Sequence, residues 1–167
     1  RKAGASLIAG CTIVMKPSQL TPENCCTFAE VVEEAGLPAG VINIVTGKGS
    51  VVGHAMAASP KIDVVSVTGS VSAGQSIMAA ASENITKVSL ELGGKAPAIV
   101  FADADLEQAA QWILDSRIGN NGQICNNAER VYVQSSVKDE FTNILLAKMK
   151  AVKVGDPCLD DNVDMGP

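Results

Sequence analysis

The strongest constraint on the fold is a set of short β-type runs, Thr12-Ile13-Val14, Val41 to Thr46, Asp63 to Val67 and Lys87 to Leu92, each separated from the next by helical periodicity. Mostly unbroken Val/Ile runs of this length indicate strands buried on both faces. Strands of that kind come from a parallel sheet, whose crossover helices cover both sides, so an α/β architecture is expected. The helical segments fit. Lys2 to Ala9 closes at Gly10. Thr21 is placed to cap a helix with Pro22 at its first position, and Phe28, Val31, Val32 and Ala35 recur on one face before Gly36. Ser50 is expected to cap a helix through Ala58, and Val71 to Ala81 reads as another.

After Gly93-Gly94-Lys95 the composition shifts, and a boundary is expected there, dividing residues 1–94 from 95–167. Beyond it, Leu106, Ala109, Ala110, Ile113 and Leu114 form a helical stripe with Asp103 or Asp105 at its start. Gly119 to Asn127 is a polar loop, Arg130 to Gln134 a strand, and Val137 to Met149 a helix with Phe141, Ile144 and Leu145 facing inward.

A chain of 167 residues with 47% hydrophobic and 19% charged residues can bury a core, which excludes disorder as the main state. A net charge of −5, no basic run and only five aromatic residues argue against nucleic-acid binding. The longest uncharged stretch, Val64 to Ser82, is nineteen residues of which ten are apolar, so no membrane span is expected. Five cysteines without a CxxC pair point to a reduced, intracellular and cytoplasmic setting. Arg1-Lys2 followed by Ala3 to Gly10 and Cys11 imitates a lipoprotein signal, but Gly4, Ser6 and the strand-like run after Cys11 argue against it; an internal segment of a longer chain is expected.

Several residues could carry chemistry. Thr68-Gly69-Ser70, between a strand and a helix, either receives a pyrophosphate or is a glycine turn capped by Ser70. Gly69 and Gly74 are spaced G-x-x-x-x-G without the lysine of a P-loop. Lys16 ends a strand at the edge where parallel sheets bind ligands, and either meets a ribose or phosphate or is simply solvated. Cys125 lies in Asn121-Gly122-Gln123-Ile124-Cys125-Asn126-Asn127, a polar setting that favours a nucleophile over a packed thiol. Cys11, Cys25 and Cys26 lie in apolar or helical stretches, and Cys158 lies in the tail. Glu91 interrupts an apolar strand end. Partial burial there would raise its pKa and suit it to general-base work; the alternative is a strand-end residue reaching solvent. The single histidine, His54, falls in a helical pattern and reads as a surface or packing residue, and no metal site is expected.

Together, Lys16-Pro17-Ser18, Thr68-Gly69-Ser70 with Gly74, Glu91-Leu92-Gly93-Gly94-Lys95 and Gly122-Gln123-Ile124-Cys125, in that order, resemble the aldehyde dehydrogenase superfamily. The step of 34 residues from Glu91 to Cys125 is similar to the family's separation of acid and thiol. Ser70-Val71-Ser72-Ala73-Gly74, Asn84-Ile85-Thr86-Lys87-Val88 and Ala128-Glu129-Arg130-Val131-Tyr132-Val133 look most like its lactaldehyde/glycolaldehyde branch.

The resemblance implies a parallel doubly wound, Rossmann-like sheet in part of a dinucleotide-binding domain, followed by the start of an α/β catalytic domain. It implies oxidation of a small aldehyde with NAD, NADP being possible, in a full-length homodimer or homotetramer. Cys125 would be the nucleophile and Glu91 the base that activates water. Lys16, Ser18, Gln19, Gly69, Ser70, Gly74, Leu92 and Gly93 would hold the cofactor. Many NAD-preferring relatives carry Glu where this chain has Gln19, which leaves room for NADP. Asn126 and Arg117 are further candidates to face the substrate pocket. A non-catalytic structural or binding relative on the same fold is the alternative, and a cofactor-free cysteine hydrolase lacks a partner histidine.

Overall fold

The structure, a computed structural model, describes residues 2–166. It divides into two compact units, one ending at Leu92 and the other starting at Gly93.

The first unit alternates helix and strand: α1 (Lys2–Ile8), β1 (Ile13–Met15), α2 (Glu23–Glu34), β2 (Ile42–Ile44), α3 (His54–Ala57), β3 (Val64–Gly69), α4 (Val71–Ser82) and β4 (Lys87–Leu92). β1 pairs with β2 in parallel from Ile13 opposite Ile42 to Met15 opposite Ile44. β3 pairs with β4 in parallel from Val64 opposite Lys87 to Gly69 opposite Leu92. The α/β class and the parallel direction follow the expectation. The continuity does not: among the described residues the strands form separate two-stranded ladders, not one sheet. β1 and β3 instead both line a cavity of about 1260 Å³.

Ser50 also differs from its expected role. It lies inside a wide helical turn, Gly49–Gly53, that leads into α3, and the turn closes on Lys48, whose carbonyl accepts from the N–H groups of Val51 and Val52. Gly47 brings the chain into this turn at φ 145°, and a Cβ there would lie 2.7 Å from Val52 Cγ2. Only glycine allows that approach.

The second unit contains β5 (Pro97–Val100), α5 (Leu106–Ile118), β6 (Arg130–Val133) and α6 (Lys138–Ala151). β5 and β6 run parallel, with Pro97 opposite Arg130 and Val100 opposite Val133. The sequence pattern does not mark β5. It is four residues long and opens on a proline, a strand-start position that leaves little periodicity to detect. Asp105 caps α5, its carboxylate accepting from Gln108 N–H at 3.0 Å. Asp139 and Glu140 in the first turn of α6 and Lys148 and Lys150 in its last complement the helix dipole. Val100, Ala110 and Phe141 form the centre of this unit's core, with Leu106, Ala109, Ile113, Val133, Ile144 and Leu145 packed on it.

The first unit has a much thinner interior. Its buried apolar residues are Ala57, Ala80 and Ala81, whereas Val14, Val51, Val64 and Val71 stay exposed. The chain's accessible surface is 11463 Å². A compact 17.2 kDa monomer would expose roughly 7,800 Å², and two separate compact halves roughly 9,400 Å². The excess persists however the units are counted. Expressed alone, the 167-residue polypeptide is therefore expected to bind the dye ANS and to self-associate through exposed strand edges. Light scattering and ANS fluorescence check this; a monodisperse, ANS-silent monomer would contradict it.

Candidate active site

In the second unit, α5 ends at Ile118 and hands over to a loop held in an uncommon backbone conformation. Asn120 (φ 50°, ψ 40°), Asn121 (φ 55°, ψ 32°) and Gly122 (φ 76°) are three consecutive left-handed residues. Asn and Gly are the residue types that tolerate this region best, so the sequence itself permits the turn. Cys125 follows on a tight turn, Ile124 to Asn127, closed by Asn127 N–H donating to the Ile124 carbonyl at 3.1 Å.

The loop is tied down on several sides. Asn127 is 3% exposed, and its Nδ2 donates to the Gly119 carbonyl at 3.0 Å. Ala128 N–H donates to Ser116 Oγ at 3.1 Å, linking the loop's far end to α5. Glu129 N–H and Arg130 N–H both donate to the Ala96 carbonyl, which anchors the start of β6 beside β5. The Glu129 carboxylate pairs with Lys95 through one oxygen and with the Arg117 guanidinium through the other, the latter at 3.5 Å. The hydrogen bond from Lys95 and the charges of Lys95 and Arg117 hold the Glu129 carboxyl below the usual carboxylate range. A carboxyl with a lowered pKa stabilises the fold while ionised, so its contribution persists at neutral pH and is lost as pH falls through its folded pKa.

Arg117 was a candidate for the substrate pocket. The structure engages it with Glu129 and sets its guanidinium against Gly122, where a Cβ would lie 2.9 Å from Nη2. Its contact with the carboxylate of Glu129, twelve residues away, has no local sequence signal. Neither Glu129 nor Lys95 stood out in the sequence as a loop anchor for the same reason.

Cys125 is exposed, as are Cys11, Cys26 and Cys158, while Cys25 is half-buried. Of the apolar or helical placements read for Cys11, Cys25 and Cys26, the structure gives surface positions to Cys11 and Cys26 and a half-buried one to Cys25. Cys11, between α1 and β1, and Cys26, on α2, lie outside the first unit's small alanine interior, and Cys158 follows α6 in the second unit. What distinguishes Cys125 is that its turn is bonded back to the end of α5, through Asn127 to Gly119 and Ala128 to Ser116.

In the first unit, parallel pairing aligns the C-terminal ends of paired strands. Glu91 sits opposite Thr68 and Leu92 opposite Gly69, so the acid shares an edge with the Thr68-Gly69-Ser70 turn. β4 alternates exposed and half-buried residues, and Glu91 falls on the exposed side. Of the two readings of Glu91, partial burial and a strand-end residue reaching solvent, the structure gives the second. Ser70 caps α4, its Oγ accepting from Ala73 N–H at 3.2 Å and lying 3.0 Å from Ser72 Oγ. Gly74 is buried in α4, and a Cβ there would lie 2.9 Å from the Leu92 methyl groups, so this glycine lets α4 pack on β4. Gly93 has open space beside it.

The ends of β1 and β2 frame a smaller cavity of about 300 Å³ lined by Pro17, Ser18, Gln19, Leu20, Pro22, Thr46, Gly47 and Lys48. Lys48 is the only charged residue among them. Lys16 lines the larger cavity with Ser18, Gln19, Gly53, Ser72 and Ala73, and its ammonium donates to the Pro17 carbonyl. The smaller cavity, past the carboxyl ends of β1 and β2 and rimmed by Ser18, Thr46 and Lys48 without a carboxylate, fits the ribose and phosphate portion of a dinucleotide; the larger one also carries Asp63 in its lining. Among the described residues no cluster of three or more His, Cys, Asp or Glu could hold a metal ion, and no helix is long and apolar enough to cross a membrane.

Comparison with known proteins adds a second line of observation. The sequence model of the aldehyde dehydrogenase family matches residues 1–167. The chain is 56% identical over 167 residues to lactaldehyde dehydrogenase of Escherichia coli (strain K12), covering all of this chain and 35% of that protein. It is 50% identical over 167 residues to 3,6-anhydro-alpha-L-galactose dehydrogenase of Vibrio sp. (strain EJY3), again covering 35% of it. The crystal structure of the Escherichia coli lactaldehyde dehydrogenase superposes with a TM-score of 0.94 over 99% of this chain and 35% of that one. A betaine aldehyde dehydrogenase from Staphylococcus aureus, solved with NAD+, is 42% identical with a TM-score of 0.92, over 99% of this chain and 33% of that one. The chain thus spans about a third of the length of the relatives it matches. With every residue matched by the family model and the fold reproduced in solved members, this chain belongs to the aldehyde dehydrogenase family.

Proposed function

We propose that the full-length protein oxidises a small hydroxyaldehyde, of the lactaldehyde or glycolaldehyde type, to its carboxylic acid with NAD or NADP. The observation that carries this reading is Cys125 on a turn stapled at both ends, in a chain 56% identical to a lactaldehyde dehydrogenase. The Cys125 thiolate attacks the aldehyde carbon and forms a thiohemiacetal, whose oxyanion is held in part by the Cys125 backbone N–H. Bound nicotinamide supplies the hydride acceptor, which converts that carbon to the thioester oxidation level. Glu91 takes a proton from water, the hydroxide attacks the thioester carbon, and the C–S bond breaks to release the acid and restore the thiolate. Lys16, Ser18, Gln19, Gly69, Ser70, Gly74, Leu92 and Gly93 form the cofactor's binding surface in this reading. Residues 1–94 serve as part of the dinucleotide-binding domain and residues 95–167 as the start of the catalytic domain. The intact enzyme is a cytoplasmic homodimer or homotetramer, and the 167-residue segment alone is inactive.

Assaying the full-length protein with glycolaldehyde and lactaldehyde, by absorbance of the reduced nucleotide, tests the reading; no turnover with any short aldehyde would defeat it. Cofactor choice gives a separate prediction. Gln19 and Lys48 line the smaller cavity, which contains no carboxylate. NADP should therefore be accepted beside NAD, and Gln19→Glu should lower kcat/KM for NADP about tenfold or more, because the new charge would repel the 2′-phosphate. NAD kinetics should change little. Equal loss with both cofactors would show that residue 19 does not meet the ribose.

A further inference from the structure

We propose that Glu129 is a positioning residue for Cys125, acting through Arg117 to fix the loop that carries the thiol. The proposal rests on the reading of Cys125 as the nucleophile. Glu129 is fixed before it touches the loop, because its own N–H and that of Arg130 donate to the Ala96 carbonyl and Arg130 Nε donates to the Lys95 carbonyl at 2.9 Å. Lys95 engages one carboxylate oxygen, leaving the other to face Arg117. The guanidinium so held occupies the space that a side chain at Gly122 would need, as the 2.9 Å and 3.0 Å approaches of Nη2 and Cζ to that Cβ position record. It thus packs against Gly122, the last of the three left-handed residues and three positions before the thiol. Half-exposed ion pairs contribute little to global stability, so the consequence of this one is local.

The test uses the full-length protein with Glu129→Gln, Glu129→Asp, Arg117→Gln and the Arg117→Gln/Glu129→Gln double variant. Hydrogen exchange followed by mass spectrometry should show faster exchange of amides 119–127 in E129Q, with amides 138–151 of α6 unchanged. The kcat for aldehyde oxidation should fall about tenfold while the KM for NAD stays the same, a loss within the range known for small misplacement of reacting groups. Glu129→Asp should recover part of the rate. The double variant should lose no more than the worse single one, because both act through one contact. Unchanged exchange in 119–127, additive losses, or exchange accelerated equally in α6 would each overturn the proposal. Should Cys125→Ser remain active, the functional reading fails instead, and the exchange result still reports on the loop.

Discussion

Cys125→Ser in the full-length enzyme is expected to lower aldehyde oxidation by roughly 10⁴-fold or more, the scale seen when a covalent nucleophile is removed. Sulfur is intrinsically the stronger nucleophile, whereas a serine hydroxyl needs an adjacent base to become nucleophilic. Matched Cys26→Ser and Cys158→Ser variants provide the control, since both thiols are exposed like Cys125 but lie outside the loop of residues 119–128 that is tied to α5. Their turnover should stay near that of the parent. If C125S retained a substantial rate, or if either control lost as much, the sulfur chemistry would have to be reassigned.

Glu91→Gln is expected to slow steady-state turnover by roughly 10²–10⁴-fold, the usual contribution of a positioned general base. It should do so unevenly across the cycle. Attack by Cys125 and oxidation need no base at position 91, so a rapid burst of about one reduced nucleotide per chain should survive. The slow step becomes hydrolysis, and an acyl adduct on the Cys125 peptide should accumulate and be detectable by mass. Loss of the burst together with the steady state would instead assign Glu91 to thiol activation.

How much of this could be read from the chain differs from element to element. β3 and α4 were legible, because Val64 to Val67 is an apolar run and Ser70 is a good cap, and both features are local. The α5 and α6 core was legible too, since Leu106, Ala110, Phe141 and Leu145 recur at helical spacing. β5 was not. Its four residues acquire strand character by pairing with Arg130 to Val133, more than thirty positions away. The separation of the strands into independent ladders was equally hidden, because it depends on what lies beside β1 and β3 and not on their own residues. At the site, the motifs marked Cys125 and Glu91 by residue type and order. The exposure of Glu91 and of the other thiols, and the Lys95–Glu129–Arg117 contacts, come from three-dimensional placement that short-range spacing does not encode.

The distribution of sulfur over the molecule affects how the protein must be handled. With Cys11, Cys26 and Cys158 open to solvent as well as Cys125, air or peroxide can cross-link neighbouring copies through thiols other than the proposed nucleophile. Bulk titration with a thiol reagent will count several equivalents per chain, and loss of activity will not track that count. Only peptide-resolved modification can tie inactivation to a single sulfur, and storage under reductant should keep the preparation uniform.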